Sequence, residues 1–279
     1  MATVDVVPFF VDTDWLASRL GVSGLRIVQV GGEGSYAQGH VPGAVLASYS
    51  ELTTQRDGIP GMRADVAQLV ALFGRLGIGP ETTVVAYDLS GGMDASRLIW
   101  TLVSMGHAGG VAVLDGGLAA WFGERRPTEG SAPVVASVRF EPRPDDSWEA
   151  DREQALGATQ RGADILLLDT RTRNEYLGMT LRSPRGHLRG AVHLDWVETL
   201  IGRHDPRLLP LEVIRAKLAA IGMTDPRREV IVYCETAHRA SQTWVLLRHL
   251  GWEKVRLYDG SMAEWRIHDL PVISGENPG

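Results

Sequence analysis

The sequence predicts an α/β protein made of two similar domains, each a mostly parallel sheet flanked by helices. The first observation is an internal repeat, because "GHVPGAVLASY" at 39–49 returns as "GHLRGAVHLDW" at 186–196. The second is that short apolar runs alternate with amphipathic stretches in both halves. Segments repeated in a fixed order indicate a duplicated unit, and strands that alternate with helices form parallel sheets covered on both faces.

The repeat continues through the second part of each half. The segment 83–121 has its counterpart in 229–265, and each carries an apolar strand, a loop, a helix, a Gly, a short strand, Asp-Gly and a Trp in that order. We therefore predict an N-terminal domain over 1–122 and a C-terminal domain over 149–279.

The predicted linker, 123–148, reads "GERRPTEGSAPVVASVRFEPRPDDSW". Pro, Gly, Ser and charged residues interrupt any sustained helical or strand period there. A connection of this length is uncommon inside a compact domain, so it is better placed between two. We expect one short strand within it, at "VVASVRF".

The strands and helices follow in the same order in each half. Strands are predicted at the apolar, β-branched runs "RIVQVG", "TVVAYD" and "VAVLDG", then "DILLLDT", "VIVYC" and "VRLYDG". Helices are predicted at "ASRLIWTLVSMG" and "LEVIRAKLAAIG", and both end in a Gly suited to a helix C-terminus. Active sites in open parallel sheets lie beyond the carboxyl ends of strands, which is where Cys234 is expected.

Composition and charge exclude several classes of protein. A chain of 279 residues, 44% hydrophobic and 22% charged, is not disordered, and no apolar run in it is long enough to span a bilayer. A net charge of −6 argues against general nucleic-acid binding, which needs a dense basic face. The N-terminus does not resemble a signal peptide, and a single Cys permits no intrachain disulfide. We expect a soluble, cytoplasmic protein without a membrane partner.

Cys234 is the only cysteine of the chain, and its position favours a reactive thiolate. It follows "VIVY" and precedes a helix predicted to begin near Arg239 or Ala240. Backbone N–H groups of a tight loop and of the first helical turn, with the Arg239 guanidinium, favour thiolate over thiol. Such a thiolate can attack sulfur or phosphorus. Single cysteines also occur as small buried packing residues, but the equivalent residue of the first half is Asp88, which is an unsuitable replacement for a packing cysteine.

Taken together, these motifs resemble the rhodanese family of sulfurtransferases in its tandem two-domain form. The resemblance covers nearly the whole chain and rests on "GHVPGAV", "GHLRGAV", "DTRTRNEYLG", "YDLSGGMDASR", "YCETAHRAS" and both Asp-Gly…Trp segments. It implies two rhodanese-like domains, the first inactive because Asp88 replaces the cysteine. It implies that Cys234 takes a sulfane sulfur as a persulfide and that no cofactor is needed.

The resemblance also assigns residues around the sulfur. It implies that Arg189, inside "GHLRG", contacts the anionic end of the donor, whereas an Arg at a surface is otherwise a solvated charge. The loop that would cradle the persulfide consists of Glu235, Thr236, Ala237, His238 and Arg239.

The loop departs from the family pattern in ways that bear on the donor. Many family loops have Gly where this one has Ala237, so the turn must form without glycine. Glu235 is expected to face solvent or to pair with Arg239, and His238 either donates to a bound anion or is simply exposed. Glu175 stands where the mercaptopyruvate branch carries an arginine, and it would repel a pyruvate carboxylate if it faced the pocket.

Other charged and ring side chains in these motifs are predicted to be structural. Asp169, Arg171 and Glu175 suggest paired acid and base chemistry, but we expect them to form an ion-pair network at a strand end. His40 and His187 are predicted to bond the backbone of their turns. Scattered His and one Cys show no metal-ligand spacing, so no metal site is predicted.

Three kinds of function remain open at this point. The favoured one is a transferase that moves sulfur from thiosulfate to cyanide or a thiol in a two-step scheme, with 3-mercaptopyruvate as the alternative donor and a thioredoxin-like reductant as a further partner. The second is a non-enzymatic persulfide carrier or sensor. The third is a phosphatase or arsenate reductase, which is less favoured because only four residues separate Cys234 from Arg239 and the phosphatase loop is one residue longer.

Overall fold

The computed structural model describes residues 7–181, 185–202 and 204–279, which form two compact units. Unit 1 contains the residues up to Leu52, Ala64–Asp145 and Gly202–Arg207; unit 2 contains Thr53–Arg63, Asp146–Ile201 and Leu208–Gly279. Each unit therefore includes one short segment from the other half of the sequence, an exchange that the sequence analysis did not predict.

Strands and helices alternate along most of the chain. The strands are β1 (Phe10–Val11), β2 (Leu25–Val30), β3 (Val45–Ala47), β4 (Thr53–Arg56), β5 (Ile59–Arg63), β6 (Thr83–Tyr87), β7 (Val111–Leu114), β8 (Glu149–Ala150), β9 (Ile165–Asp169), β10 (Val192–His193), β11 (Glu229–Tyr233) and β12 (Val255–Tyr258). The α-helices are α1 (Thr13–Ala17), α2 (Glu33–Gln38), α3 (Tyr49–Leu52), α4 (Val66–Arg75), α5 (Met93–Ser104), α6 (Gly117–Gly123), α7 (Arg152–Ala158), α8 (Arg173–Tyr176), α9 (Leu211–Ala220), α10 (His238–His249) and α11 (Ser261–Ile267). Short 3-10 helices span Asp146–Trp148 and Trp196–Thr199.

Each unit contains a parallel sheet, and the strand order is the same in both. The order is β1-β7-β6-β2-β3 in unit 1 and β8-β12-β11-β9-β10 in unit 2. Neighbouring strands within these two sheets are parallel. Hence β6 and β11 hold the same central place, and the predicted α/β fold of two mostly parallel sheets is confirmed.

The central strands are apolar on both faces because helices cover both. Val230, Ile231, Val232 and Tyr233 of β11 are all fully buried, as expected for a strand of a covered parallel sheet. The core cluster on one face of the sheet joins Ile231 and Tyr233 to side chains that include Leu167, Tyr258 and Trp265. Burial of this kind stabilises a domain by about 25 cal/mol per Å² of apolar surface.

The glycines predicted to terminate two helices are present. Gly106 follows α5 with φ +77° and Gly222 follows α9 with φ +85°. A residue in this left-handed region ends a helix without steric penalty only when it is glycine.

The repeated Gly-His turn is built in the same way in both units. His40 Nδ1 lies 2.9 Å from the carbonyl oxygen of Tyr36, and His187 Nδ1 lies 2.8 Å from that of Tyr176. Each imidazole also stacks on the same tyrosine, with ring centroids 3.8 Å and 3.7 Å apart. The prediction that these histidines are backbone-bonding turn residues is confirmed.

The segment predicted as a linker follows unit 1 closely. Val138 donates its N–H to the oxygen of Gly74 at 3.1 Å, and Arg143 donates to that of Met105 at 2.8 Å. Phe140 is buried, with its ring 4.9 Å from that of Phe73. The prediction of a strand at "VVASVRF" is wrong. Single backbone hydrogen bonds to the ends of helices are present there, and no strand is formed.

Within the described ranges, the helices are all too short or too polar to cross a lipid bilayer.

Candidate active site

Cys234 follows β11 directly, at the carboxyl end of the central strand of unit 2. Its side chain is fully buried. Helix α10 begins at His238, slightly earlier than the predicted start near Arg239 or Ala240, because Ala237 already takes the cap position. The cysteine therefore stands between a strand end and a helix start, as the sequence predicted.

Ala237 makes the sharp turn of the loop in the left-handed conformation, with φ +58°. This conformation costs an L-residue about 1 kcal/mol relative to glycine, and Gly92 takes the same place before α5 of unit 1. Two hydrogen bonds hold Ala237: its N–H donates to Ser261 Oγ at 3.1 Å, and its oxygen accepts from Ser241 Oγ at 2.7 Å. Tertiary contacts thus supply what glycine would supply locally.

Ser261 braces the loop from the start of α11. Its buried hydroxyl accepts the N–H of Cys234 at 3.2 Å and that of Ala237 at 3.1 Å, and it donates to the oxygen of Tyr258 at 2.7 Å. This residue was not among the site residues predicted from the sequence. The available signal was the repeated Asp-Gly motif, in which Ser261 replaces Gly117 of the first half.

Several loop N–H groups remain available to a bound anion. Within the described residues, no acceptor bonds the backbone N–H groups of Glu235, Thr236, Arg239 and Ala240. The N–H groups of Cys234 and Ala237 are not available in the same way, because both donate to Ser261 Oγ.

The equivalent loop of unit 1 shows what such donors bind. Asp88 stands at the position of Cys234, and its Oδ1 accepts the N–H groups of Ser90 at 3.0 Å and Gly92 at 2.8 Å. Its Oδ2 accepts that of Ala95 at 2.9 Å. Burial raises the pKa of the Asp88 carboxyl, and the three backbone donors oppose that rise. The N–H groups of this loop form an anion-binding nest, and the Asp88 carboxylate of the same loop occupies it.

Arg239 forms a two-pronged ion pair with Glu175. Its Nη1 and Nη2 donate to the two carboxylate oxygens at 2.7 Å and 2.9 Å. Burial opposes the charge of Arg239, but the bonds to Glu175 and the attraction of Cys234 outweigh it and raise the pKa of the guanidinium. Burial likewise opposes the charge of Glu175, yet bonds from Arg239 and Thr172 lower the pKa of its carboxyl to about 2. This pairing was not predicted, because the two residues are 64 positions apart and no local sequence pattern connects them.

Glu235 pairs with Arg266 of α11, not with Arg239. The reason is the position of α11, whose Ala263 donates its N–H to the oxygen of Glu235 at 2.9 Å and so places Arg266 beside the loop. The expectation that Glu235 faces solvent or pairs with Arg239 is corrected. His238 is the first residue of α10 and is half-buried.

The charges after β9 form the expected structural network. Asp169 and Arg171 are buried and bonded to each other at 2.5 Å, and Arg171 also donates to the oxygen of Gly186 at 2.7 Å. Glu175 caps α8 with Thr172. Among the residues that the structure describes, no group of three or more His, Cys, Asp or Glu side chains is arranged to hold a metal ion.

Arg189 lies near the amino ends of the unit 2 strands, whereas Cys234 lies at their carboxyl ends. Arg189 is exposed and lines a surface cavity with residues 159–161, which follow α7 and precede β9. Cys234 instead follows β11, which is parallel to β9, so the two residues stand at opposite strand ends. The implied contact of Arg189 with a sulfur donor has no support from its position, because the Gly-His turn carries it towards the start of β10.

Comparison with known proteins agrees with this architecture. The sequence model of the rhodanese-like domain matches residues 12–124 and 152–268. The chain belongs to the rhodanese family. The two matched ranges contain four of the five strands of each parallel sheet, all except β1 and β8, and Cys234 lies in the second rhodanese domain.

Similar proteins span nearly the whole chain. The thiosulfate sulfurtransferase of Azotobacter vinelandii is 34% identical over 270 residues, 95% of this chain and 97% of that protein. The thiosulfate sulfurtransferase of Pseudomonas aeruginosa is 34% identical over 275 residues, covering 98% and 99%. The crystal structure of the 3-mercaptopyruvate sulfurtransferase SseA from Escherichia coli has the same fold, with a TM-score of 0.81 at 23% identity over 91% of this chain and 99% of that one.

Proposed function

We propose that this protein is a sulfurtransferase that moves the sulfane sulfur of thiosulfate to a thiophilic acceptor through a persulfide on Cys234. The observation that carries the proposal is the pair of equivalent loops. In unit 1 the loop N–H groups bind the Asp88 carboxyl. In unit 2 the only cysteine stands in that place, and the N–H groups of Glu235, Thr236, Arg239 and Ala240 have no acceptor in the described part of the chain. The names of the relatives from A. vinelandii and P. aeruginosa support the same activity.

The proposed chemistry balances without a cofactor. The Cys234 thiolate attacks the outer sulfur of thiosulfate, a new S–S bond forms, and the S–S bond of the donor breaks as sulfite leaves with the electron pair. The loop N–H groups stabilise the anionic persulfide. Cyanide then attacks the outer sulfur, thiocyanate leaves, and the thiolate is restored. A thiol acceptor would follow the same path and become a persulfide itself.

A thioredoxin-like dithiol is a further proposed acceptor. Its first thiolate would take the outer sulfur of the Cys234 persulfide, and its second thiol would then form a disulfide and release hydrogen sulfide. The chain supplies the persulfide, and the dithiol supplies both electrons.

Thiosulfate remains the proposed donor, with a smaller preference than the sequence suggested. Glu175 does not act as a lone negative charge, because it is paired with Arg239. Its expected repulsion of a pyruvate carboxylate is therefore weakened, and so is the positive field that Arg239 offers to thiosulfate. The preference then depends on the loop N–H groups, which suit a compact anion.

The proposal is tested by intact-mass measurement after incubation with thiosulfate. We expect the wild-type chain to gain one sulfur atom and to form thiocyanate from cyanide over many turnovers. Cys234→Ser should do neither while keeping its far-UV circular dichroism spectrum, since a hydroxyl fits the loop but forms no persulfide. Turnover by that variant would exclude the mechanism.

The donor is tested by comparing kcat/KM for thiosulfate and 3-mercaptopyruvate with cyanide as the common acceptor. We expect thiosulfate to be preferred, and a tenfold preference for 3-mercaptopyruvate would reverse the assignment. Arg189 lies at the opposite strand ends from Cys234, so Arg189→Ala should leave kcat/KM unchanged for both donors. A loss confined to thiosulfate would instead support the contact that the family resemblance implies.

A persulfide carrier is the second candidate function. A relative from Thermus thermophilus, 31% identical over 95% of this chain and 96% of that protein, is named the sulfur carrier protein TtuD. A carrier needs the same activated thiol but not rapid turnover with small molecules. Stoichiometric sulfur loading without steady-state thiocyanate formation would favour the carrier over the enzyme.

A further inference from the structure

A β-hairpin from the first half of the sequence belongs to unit 2. Strands β4 and β5 form this hairpin over Thr53–Arg63, whereas the residues on either side of it belong to unit 1. Asp57 and Gly58 make its two-residue turn with φ +51° and +82°, the positive values that a type I′ turn requires.

The second strand of the hairpin carries a β-bulge at Gly61. Thr54 pairs with Met62 and Arg56 pairs with Ile59, so Pro60 and Gly61 together oppose a single residue of β4. Gly61 has φ +76°, as the glycine of a G1 bulge does. Bulges of this kind redirect the chain and are frequent beside active sites.

The bulge packs directly against the cysteine loop. A Cβ atom on Gly61 would lie 2.9 Å from Thr236 Cβ and 3.4 Å from the Thr236 oxygen. The first distance is shorter than side chains tolerate, so only glycine permits this approach. Thr236 also carries one of the loop N–H groups without an acceptor in the described part of the chain.

The hairpin is fixed to unit 2 on both sides of this contact. Ile59 and Met62 are buried in a cluster with Ala263, whose N–H bonds the oxygen of Glu235. Arg63 donates its N–H to Asp259 Oδ2 at 2.6 Å, and its side chain pairs with Glu149 at 3.2 Å. A bulge anchored in this way presents a rigid surface to the loop.

We propose that Gly61 is a positioning residue for sulfur transfer: the hairpin bulge holds Thr236, and with it the N–H groups of the loop, in the conformation that binds the persulfide. The inference rests on the proposed function. It means that the half of the sequence without a cysteine supplies part of the active site.

The test compares Gly61→Ala with Gly58→Ala in the full-length protein. Both glycines have a similar positive φ, but a Cβ on Gly58 meets only Ile267 Cδ1 at 3.8 Å, an ordinary contact. The two variants therefore share a positive φ and carry similar backbone strain, but only the Cβ of Gly61→Ala meets Thr236. We expect kcat for thiosulfate to fall about tenfold or more in Gly61→Ala, since misplacement by a fraction of an ångström is costly in catalysis, and to change less than about threefold in Gly58→Ala.

Alkylation of the only thiol by iodoacetamide gives a second readout that does not depend on sulfur transfer. We expect the alkylation rate of Cys234 to change in Gly61→Ala and to stay at the wild-type value in Gly58→Ala. Equal behaviour of the two variants in both assays would overturn the proposal. If the wild-type chain transfers no sulfur at all, the proposed function fails, and alkylation still decides whether the bulge positions the loop.

A double variant covers the case in which Gly61→Ala does not fold. Thr236→Gly removes the Cβ atom that the new methyl group would strike. We expect Gly61→Ala combined with Thr236→Gly to fold and to match the alkylation rate of Thr236→Gly alone. Effects that simply add, or a double variant that also fails to fold, would contradict the direct contact.

Discussion

At the scale of single residues, the charge of Arg239 is maintained by a partner that lies elsewhere in the chain. The Arg239 guanidinium donates hydrogen bonds to both carboxylate oxygens of Glu175, and Cys234 also attracts it. An arginine keeps its charge and geometry at all pH values of interest. The pair therefore holds the guanidinium in a fixed position, while the Glu175 carboxylate offsets part of its positive field.

The first prediction ranks Arg239 above its neighbour His238. Removing a charge-assisted interaction that strengthens in the transition state costs about 2 to 4 kcal/mol, or about two to three decades in kcat/KM. We expect Arg239→Ala to lose that much and His238→Ala, at a half-buried helix start, to lose less. The measurement is kcat/KM for thiosulfate, and an equal or larger loss at His238 would reverse the ranking.

The second prediction concerns Glu175 and the pH dependence of stability. Its pKa falls from 4.5 to about 2 on folding, so the ionised pair stabilises the folded state above about pH 4.5, and this stabilisation is lost as the pH falls towards 2. With a discount for solvent screening, the shift corresponds to about 2 kcal/mol. Glu175→Gln keeps the cap of α8 but removes the charge.

We expect urea denaturation to show Glu175→Gln less stable than wild type by about 2 kcal/mol at pH 7, with the difference shrinking below pH 4.5. Arg173→Gln is a suitable control, because its pair with Glu276 is solvent-exposed and exposed pairs contribute little. A difference that stays constant down to pH 2 would show that charge is not the cause.

At the scale of secondary-structure elements, the site depends on how the starts of α10 and α11 meet. The first turn of α10 supplies the N–H groups of Arg239 and Ala240, which have no acceptor among the described residues. α11 supplies the Ser261 hydroxyl, which accepts two loop N–H groups, and its Ala263 N–H bonds Glu235. One helix offers donors to a bound anion while the other fixes the backbone that carries the sulfur.

The third prediction is that Ser261→Ala destabilises the protein by about 1 to 3 kcal/mol, because it leaves two buried N–H groups without an acceptor. Ser137→Ala is the matched control, since its hydroxyl only donates to the oxygen of Gly74, which also accepts from Val138. Urea denaturation of both variants checks the difference. A loss at Ser261 no larger than at Ser137 would show that the brace is dispensable.

At the scale of the whole molecule, the duplicated domains carry equivalent loops with different central residues, Asp88 in unit 1 and Cys234 in unit 2. The unit 1 loop is closed by the Asp88 carboxyl, which accepts three of its N–H groups. The unit 2 loop keeps its cysteine. The two halves are therefore not equivalent in chemistry, although their sheets have the same strand order.

The fourth prediction is that Asp88→Asn leaves thiosulfate turnover within about twofold of wild type. The amide keeps an oxygen for the loop donors, and Asp88 belongs to unit 1, whereas the cysteine loop belongs to unit 2. Steady-state thiocyanate formation checks this, and Cys234→Ser serves as the inactive reference. A loss of tenfold or more would show that unit 1 takes part in the chemistry through its own loop.

The sequence alone was sufficient for the features that local patterns encode. The paired Gly-His turns, the alternation of apolar and amphipathic runs and the glycine stops predicted two parallel sheets, because strand and helix periods depend on near neighbours in the chain. The same reasoning placed Cys234 at a strand end and identified Asp88 as its counterpart. It also predicted that Asp169 and Arg171 belong to a structural ion-pair network, and the two side chains do form an ion pair.

Only the tertiary structure decided which distant residues complete the site. Arg239 pairs with Glu175, Cys234 and Ala237 share the Ser261 hydroxyl, and Gly61 packs on Thr236. Each of these contacts joins elements that no short sequence pattern connects. Arg189 shows the opposite relation. Its motif implied that it lies close to the sulfur, but the chain before β10 places it at the opposite strand ends from Cys234. Side-chain partnership depends on strand order and chain direction, and those are properties of the folded chain as a whole.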